Sequence, residues 1–443
     1  MAGNALVDVF RIKELRERIL YTVTWLVVFR IGAFLPIPGI NAGALKAYFA
    51  SVNSQSGGIT DYLDFFAGGA FKNFSVFMLG VMPYISTQII MQLLLVVFPS
   101  FKRVAEEEGG RKKIALWTRL ATVGVAIIQS FALVAYAKTI AKTNPEVLMI
   151  NETAYTLLAI LTVTTGTMFI VWIGEQITKR GIGNGISLII FAGIVARLPN
   201  ALYALGVKIA SGEINPVFAI VVLLLFVAVV ALVIYEQQGQ RKIPVNYAKR
   251  VVGRKMYGAQ NTYIPFKINP SGVIPVIFAS SLLTFPLQIA QSLGGGAKWL
   301  RDFAHFLRPE GWWYNIFYVL FIIFFAYFYT QVSLNPQEIS KNIRENGGSI
   351  PGIRSEKMEE YLTKILNRIV LPGSLYLAMI ALIPTIIQRI FNFPSQLAYL
   401  LGGTSLLILV GVDLDTMSQI EAQLKMHHHD GLTKHGHIKG RNL

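Results

Sequence analysis

The sequence predicts an all-α polytopic membrane protein, with ten transmembrane helices in two pseudo-symmetric halves of five. Three observations predict it. Of its 443 residues 53% are hydrophobic and only 14% charged, where a soluble domain carries roughly 25% charge. Apolar runs of about 20 residues, the length that crosses a bilayer core, recur along the chain. Of the 40 lysines and arginines, 28 fall on one side of the resulting topology and 9 on the other. Helices are the expected spanning element because each satisfies its own backbone hydrogen bonds in lipid.

The spans follow in order. The first is Ile19–Leu35, the second Asn73–Ser100, the third Leu120–Ala137 extending back to Ile114, and the fourth Ala154–Ile173. Ile186–Leu205 is the fifth. A short loop, 206–215, separates it from Pro216–Tyr235, Ile268–Leu293, Gly311–Gln337, Ile369–Gln388 and Ile390–Val412. The first and fifth each contain one arginine, Arg30 and Arg197, near an end where it can snorkel to the headgroups. The positive-inside rule puts both termini in the cytoplasm and accounts for much of the +16 net charge without nucleic acid. The expected organisation is an N-terminal half, 1–205; an external hinge, 206–215; a C-terminal half, 216–416, with basic cytoplasmic loops at 236–270 and 333–368; and a cytoplasmic tail, 417–443. The halves show no residue-level repeat, so their symmetry rests on the common use of inverted repeats in such folds. Arg11 to Arg18 is charged and amphipathic, and no small-residue cleavage site follows the first apolar run, which predicts no cleavable signal.

The spans also argue by what they lack. No carboxylate sits mid-span; Arg30, Glu175, Arg197 and Arg389 all lie near span ends. There is no cysteine, no Gly-x4-Gly-Lys-Ser/Thr phosphate loop, and His305 is the only histidine outside the tail. An enzyme reading has little support, and no cofactor is expected. An ion-coupled secondary transporter of a small solute remains the alternative, since broken helices can bind ions through backbone carbonyls. His427, His428, His429, His435 and His437 make the tail either a metal site or a solvated extension.

Four blocks carry more specific information. They are Leu79–Ile90 (LGVMPYISTQII), Trp172–Ser187 (WIGEQITKRGIGNGIS), Gly239–Arg250 (GQRKIPVNYAKR) continuing to Gly272–Pro275 (GVIP), and Gly347–Arg354 (GGSIPGIR) with Gly402–Ile408 (GGTSLLI). The glycines of Gly181–Gly185 follow no strand and read as a tight turn between antiparallel helices. Arg241–Lys267 holds seven basic residues and no acid, interleaved with Tyr247, Tyr257 and Tyr263. Positive-inside bias alone permits such a run, and so does docking to phosphate.

With ten spans and cytoplasmic termini, these blocks resemble the SecY family, the pore subunit of the bacterial protein-translocation channel, over nearly the whole chain. The resemblance implies a channel in the bacterial plasma (inner) membrane. It passes unfolded secretory polypeptides and releases transmembrane segments sideways into the lipid bilayer. It implies a mid-membrane ring of Val81, Ile85, Ile186, Ile190, Ile277 and Ile408, a hydrophobic gasket against ions; without it these residues read as lipid-facing or core packing. It implies a plug at Asp61, Tyr62, Leu63, Asp64, Phe65, Phe66, Ala67, Gly68, Gly69 and Ala70, which otherwise reads as an interfacial loop helix. It implies a lateral gate carrying Gln88, Gln92, Thr122, Gln129, Ser280, Thr284 and Gln288, residues that equally suit permanent helix–helix glue. SecA and the ribosome would dock on Arg241, Lys249, Arg250, Arg254, Lys255 and Arg354, and SecE and SecG would complete the channel.

Overall fold

The computed structural model describes residues 12–52, 64, 67–247, 250–252, 255–257, 261–293, 302, 306–307, 311–391, 398 and 402–435. Each of the ten stretches expected to span contains helix among its described residues, though not throughout its length. Among the described residues, six helical segments are both long and apolar enough to cross a bilayer, or seven if a sharply bent pair is one span. The chain forms two compact units: 1–56, 63–199 and 408–443 in one, 57–62 and 200–407 in the other.

In the first unit, α1 (Lys13–Gly32) is followed by α2 (Ala42–Val52). The second expected span departs from its sequence reading. Helix α3 covers only Met82–Val97, and residues 67–81 run in turns, apart from an isolated β-bridge from Ser75 to Pro36. Phe74 and Gly80 have φ of 44° and 55°; left-handed residues interrupt a right-handed helix. Pro83 at the first turn then starts α3, where its missing N–H costs nothing. At the far end Phe98 is extended, as a residue before proline prefers, and the chain bends 100° into α4 (Pro99–Glu106). Two long helices follow, α5 (Gly110–Thr143) and α6 (Glu152–Arg180), which pack together, with α3 and α4 on α5. The fifth span is α7 (Gly185–Val195) plus α8 (Leu198–Ala210), together a 26-residue apolar segment whose residues from 200 on belong to the second unit.

The turn between α6 and α7 is tight. A Cβ on Gly185 would strike the carbonyl of Gly174, so only glycine lets the helices approach this closely. Asn184 caps α7, its Oδ1 accepting from the backbone N–H of Ile186 and Ser187. Thr22 Oγ1 accepts from the Ile182 N–H, and Gln419 Oε1 from the Gly183 N–H. Buried Leu15 and Ile182, with Ile12, Ile19, Ile420 and Leu424 around them, complete an apolar cluster that ties the start of α1 and residues 420–424 to this turn.

In the second unit, α9 (Pro216–Gln238) is the most apolar of the six candidate spans among the described residues, and most of it is not buried within the chain. It leads into a β-sheet that the helical reading of the sequence did not include. β1 (Gln240–Tyr247) pairs antiparallel with β4 (Asn261–Lys267) from Gln240↔Lys267 to Asn246↔Asn261, and on its other edge with β5 (Gly348–Ser349). β2 (Arg250–Val252) and β3 (Lys255–Tyr257) form a separate hairpin. Four helices complete the unit's main elements: α10 (Ile274–Leu293), α11 (Trp312–Ser333), α12 (Pro336–Glu345) and α13 (Met358–Phe391). The last helix, α14 (Gly403–His435), begins in the second unit and continues in the first.

The sheet is pinned by its own core. Ile243 and Val245 point inward from β1 with Phe266 of β4, and they pack with Ile343, Ile350, Met358, Leu362, Ile365, Leu366 and Ile369. The two basic loops therefore share one hydrophobic anchor, which stabilises them against the loss of backbone entropy.

Candidate functional site

The aliphatic set begins where α3 begins. Val81 caps that helix and Ile85 lies one turn inside it; both are buried. Ile190 is buried on α7, Ile277 on α10 and Ile408 on α14, the last fully shielded. Ile186 is partly buried one turn before Ile190, and a Cβ on Gly174 would meet its side chain, so it packs over the α6–α7 turn. Five of the six positions are thus buried aliphatics in chain stretches far apart in sequence.

The approach segment before α3 is held by charge. Asp64 is 1% exposed. Its carboxylate accepts from Arg197 Nη2 at 2.8 Å and from the Lys72 N–H at 2.9 Å, and its carbonyl accepts from the Gly69 N–H at 3.0 Å. Arg30 Nη1 donates to the Gly68 carbonyl at 2.8 Å and its guanidinium lies over Phe34. Gly68 has φ of 65°, and a Cβ there would sit 2.8 Å from Gly193 Cα on α7. The two arginines read as snorkelling in the sequence instead turn onto this segment. A pair this buried loses heavily if one partner is removed, about 3–5 kcal/mol, because the other charge stays unpaired. Ala67 and Ala70 are buried beside these residues, and Gly69 is partly buried with φ of 91°. Asp61, Tyr62, Leu63, Phe65 and Phe66 lie outside the described residues.

The polar positions of the expected seam divide by unit. In the first, α3 carries Gln88 and Gln92 and packs on α5, which carries Thr122 and Gln129. Thr122 donates to its own helix, to the Thr118 carbonyl, while the Oε1 atoms of Gln92 and Gln129 are buried with no hydrogen-bond partner among the described residues. In the second, Ser280 donates to the Ile277 carbonyl and Thr284 to that of Ser280, both within α10. Gln288 also lies on α10, its side chain outside what is described. These hydroxyls are satisfied locally, so they bind no neighbouring helix through the hydrogen bonds seen. Sequence spacing did not signal a further pair: Arg119 on α5 makes a two-pronged contact with Glu175 on α6, at 2.7 and 2.6 Å.

The basic surface is built on the sheet. Arg241 is exposed on β1, next to Lys242, whose Nζ lies 4.7 Å from the centre of the Tyr263 ring. Arg250 and Lys255 belong to the β2–β3 hairpin, their side chains outside what is described; Lys249 and Arg254 lie outside the described residues. Arg354 is exposed on a turn whose Gly352 takes φ of 78°. Ile350 before it and Met358 after it are both anchored in the sheet core, and the Lys357 N–H donates to the Arg354 carbonyl at 2.9 Å. The arginine is therefore presented by a rigid support.

Comparison with known proteins gives this arrangement a family. The SecY family model matches residues 75–417. The protein translocase subunit SecY of Borreliella burgdorferi is 47% identical over 420 residues, covering 94% of each chain. That of Escherichia coli K12 is 42% identical over 432 residues, covering 96% of each. Among solved structures, a protein-conducting channel aligns with TM-score 0.67 at 18% identity, covering 96% of this chain and 94% of its own. A SecY whose plug domain stabilises the closed state of the translocation channel and maintains a membrane seal gives 0.65 at 18%, with the same coverage. Sec61 in the canine ribosome-channel complex from the endoplasmic reticulum gives 0.64 at 17%, again with 96% and 94% covered. These structural likenesses establish the shared fold, and the sequence relatives establish descent. The chain belongs to the SecY family of protein translocase subunits.

Proposed function

We propose that this chain conducts unfolded polypeptides across the bacterial inner membrane through a collar of Val81, Ile85, Ile186, Ile190, Ile277 and Ile408, and releases apolar segments sideways into lipid. The observation that carries the reading is the burial of five of these six aliphatics in a member of the SecY family. A narrow apolar ring dewets and so blocks ions, while branched side chains can part around a threading peptide. Residues 61–70 form the plug, by analogy with the related SecY whose plug domain maintains a membrane seal. Unpaired glutamine oxygens at Gln92 and Gln129 suit a gate seam that must open, because they leave it weakly bonded. Segments leaving through that seam partition by transfer energy, about −0.5 kcal/mol per leucine against about +3 for a central charge.

The chain works as the channel subunit of a complex with SecE and SecG. SecA or a ribosome docks on Arg241, Lys249, Arg250, Arg254, Lys255 and Arg354; the likeness to a Sec61 bound to a ribosome supports the latter. Both termini lie in the cytoplasm, and an external hinge loop at 206–215 joins the halves 1–205 and 216–416. The secondary-transporter alternative has no support among the relatives. Replacing Ile85, Ile190 and Ile408 with serine should wet the collar and raise the resting conductance of planar bilayers carrying the purified complex. An unchanged closed baseline would remove the collar from the account.

A further inference from the structure

The last turn of α9 buries a carboxylate with nothing to balance it. Glu236 is 6% exposed, and both its Oε atoms are buried with no hydrogen-bond partner among the described residues. Two further orphaned atoms belong to the same neighbourhood. Gln237 Nε2 and the Tyr376 hydroxyl, the latter on α13, are also buried and unpaired, and both side chains lie within interaction range of Glu236. The Asn269 amide stands beside it as well, in the turn before α10, without closing a well-formed hydrogen bond to it. That amide is tied to the turn: its Nδ2 donates to the Gly272 carbonyl at 3.0 Å and its Oδ1 accepts from Ser271 Oγ at 2.8 Å. Helix α13 presses on the same turn, since a Cβ on Gly373 would sit 2.9 Å from the Ile268 carbonyl oxygen. All these residues lie in the second unit.

The surrounding charges do not answer this carboxylate. Residues 268–293 carry no acid, base, histidine or tyrosine. On α13 Tyr376 is the titratable group that meets it, and Arg368, about two turns earlier, is exposed. Tyr235 on α9 and Arg241, Lys242 and Lys267 on the sheet are exposed as well. The carbonyl end of the α9 dipole adds negative potential. A buried carboxylate so placed is neutralised rather than left charged. We infer that Glu236 is a proton-binding site: its carboxylic acid, set among Gln237, Asn269 and Tyr376, locks the turn that launches α10, and loss of the proton to bulk water loosens that turn. A proton is the ligand because the oxygens are closed to anything larger. The acid can donate its O–H to the Tyr376 oxygen and accept from Gln237 Nε2 on its carbonyl oxygen, so the four orphaned atoms satisfy one another. Ionised, the group is a buried charge without a counter-ion, and drawing water inward to solvate it parts α9 from the turn. Helix α10 carries Ile277, so the proton governs how firmly that helix is seated. The site stands whether or not Ile277 belongs to a collar.

The test uses the complete membrane complex in lipid nanodiscs and needs no transport assay, so it succeeds or fails apart from the channel reading. Infrared spectra taken with carboxyl-labelled glutamate should show a carboxylic acid band at neutral pH, where exposed glutamates are ionised. The band should be absent from Glu236→Gln, shifted in Tyr376→Phe, and replaced by a carboxylate band as the pH is raised. No labelled acid band at neutral pH, or one that survives Glu236→Gln, overturns the site. The unsubstituted complex gives the first of these readings even if Glu236→Gln assembles poorly. Hydrogen exchange reads the lock itself. After correction for the intrinsic base-catalysed rate, exchange over residues 268–277 should quicken several-fold from neutral to alkaline pH. Glu236→Gln, which keeps the shape and neutrality of the acid, should stay slow throughout. An equal pH response in the two proteins, or none in either, defeats the coupling of the proton to α10.

Discussion

Arg354 is exposed, yet its backbone is fixed by Ile350 on one side and Met358 on the other. Its charge can change without disturbing the core beneath it. Arg354→Glu should therefore abolish ATPase-driven transport into proteoliposomes while the complex still assembles; normal transport would exclude this arginine from docking. The residues of β1 and the β2–β3 hairpin make a different prediction. If Arg241 and Arg250 pair with RNA phosphates, reversing each to Glu should weaken ribosome binding. The slope of log affinity against log salt should then become shallower by about 0.7–0.9 for each phosphate no longer neutralised. Weaker binding with an unchanged slope would mean that the loop acts without touching phosphate. Some residue roles could be read directly from the sequence: Pro351 and Gly352 announced a turn presenting Arg354. Others could not. Arg30 and Arg197 each read as a lone arginine near a span end, because nothing in linear order links them to Asp64 or to the Gly68 carbonyl.

The elements were legible to the extent that composition determines them. Apolar runs located helix in at least part of every expected span, since an open chain in lipid satisfies its backbone only as a helix, and six or seven of the described segments are long and apolar enough to cross. Composition did not distinguish helix from buried turns, so Asn73–Val81 read as part of a span, although Phe74 and Gly80 take positive φ there. The sheet was hidden for another reason. The alternation of Ile243, Val245 and Tyr247 with Lys242, Pro244 and Asn246 has the period of a strand, but seven basic residues drew the reading towards charge. Its core supplies a prediction at this scale. Met358 is fully buried among the sheet residues and the start of α13. Met358→Ala should cost about 2–5 kcal/mol of local stability, seen as faster hydrogen exchange over residues 240–247 with the spans unaffected. Unaltered exchange would show that the sheet does not depend on this core.

For the whole molecule, family membership establishes a protein translocase subunit, and the roles proposed for the buried aliphatic set and for the basic surface on the sheet are proposals within that frame. Ion-coupled transport leaves that set without a role, whereas a conduit for polypeptide uses it as the seal. The sequence showed the spans and the charge asymmetry, but the collar only through resemblance, because isoleucine is common throughout such a chain. The most direct measurement is photocrosslinking from positions 81, 190 and 408, with a secretory chain stalled midway through the assembled complex. The account predicts crosslinks to the stalled chain from all three positions, which disappear when the chain is released. A stalled chain protected on both sides of the membrane, yet giving no adduct at any of the three, would contradict it.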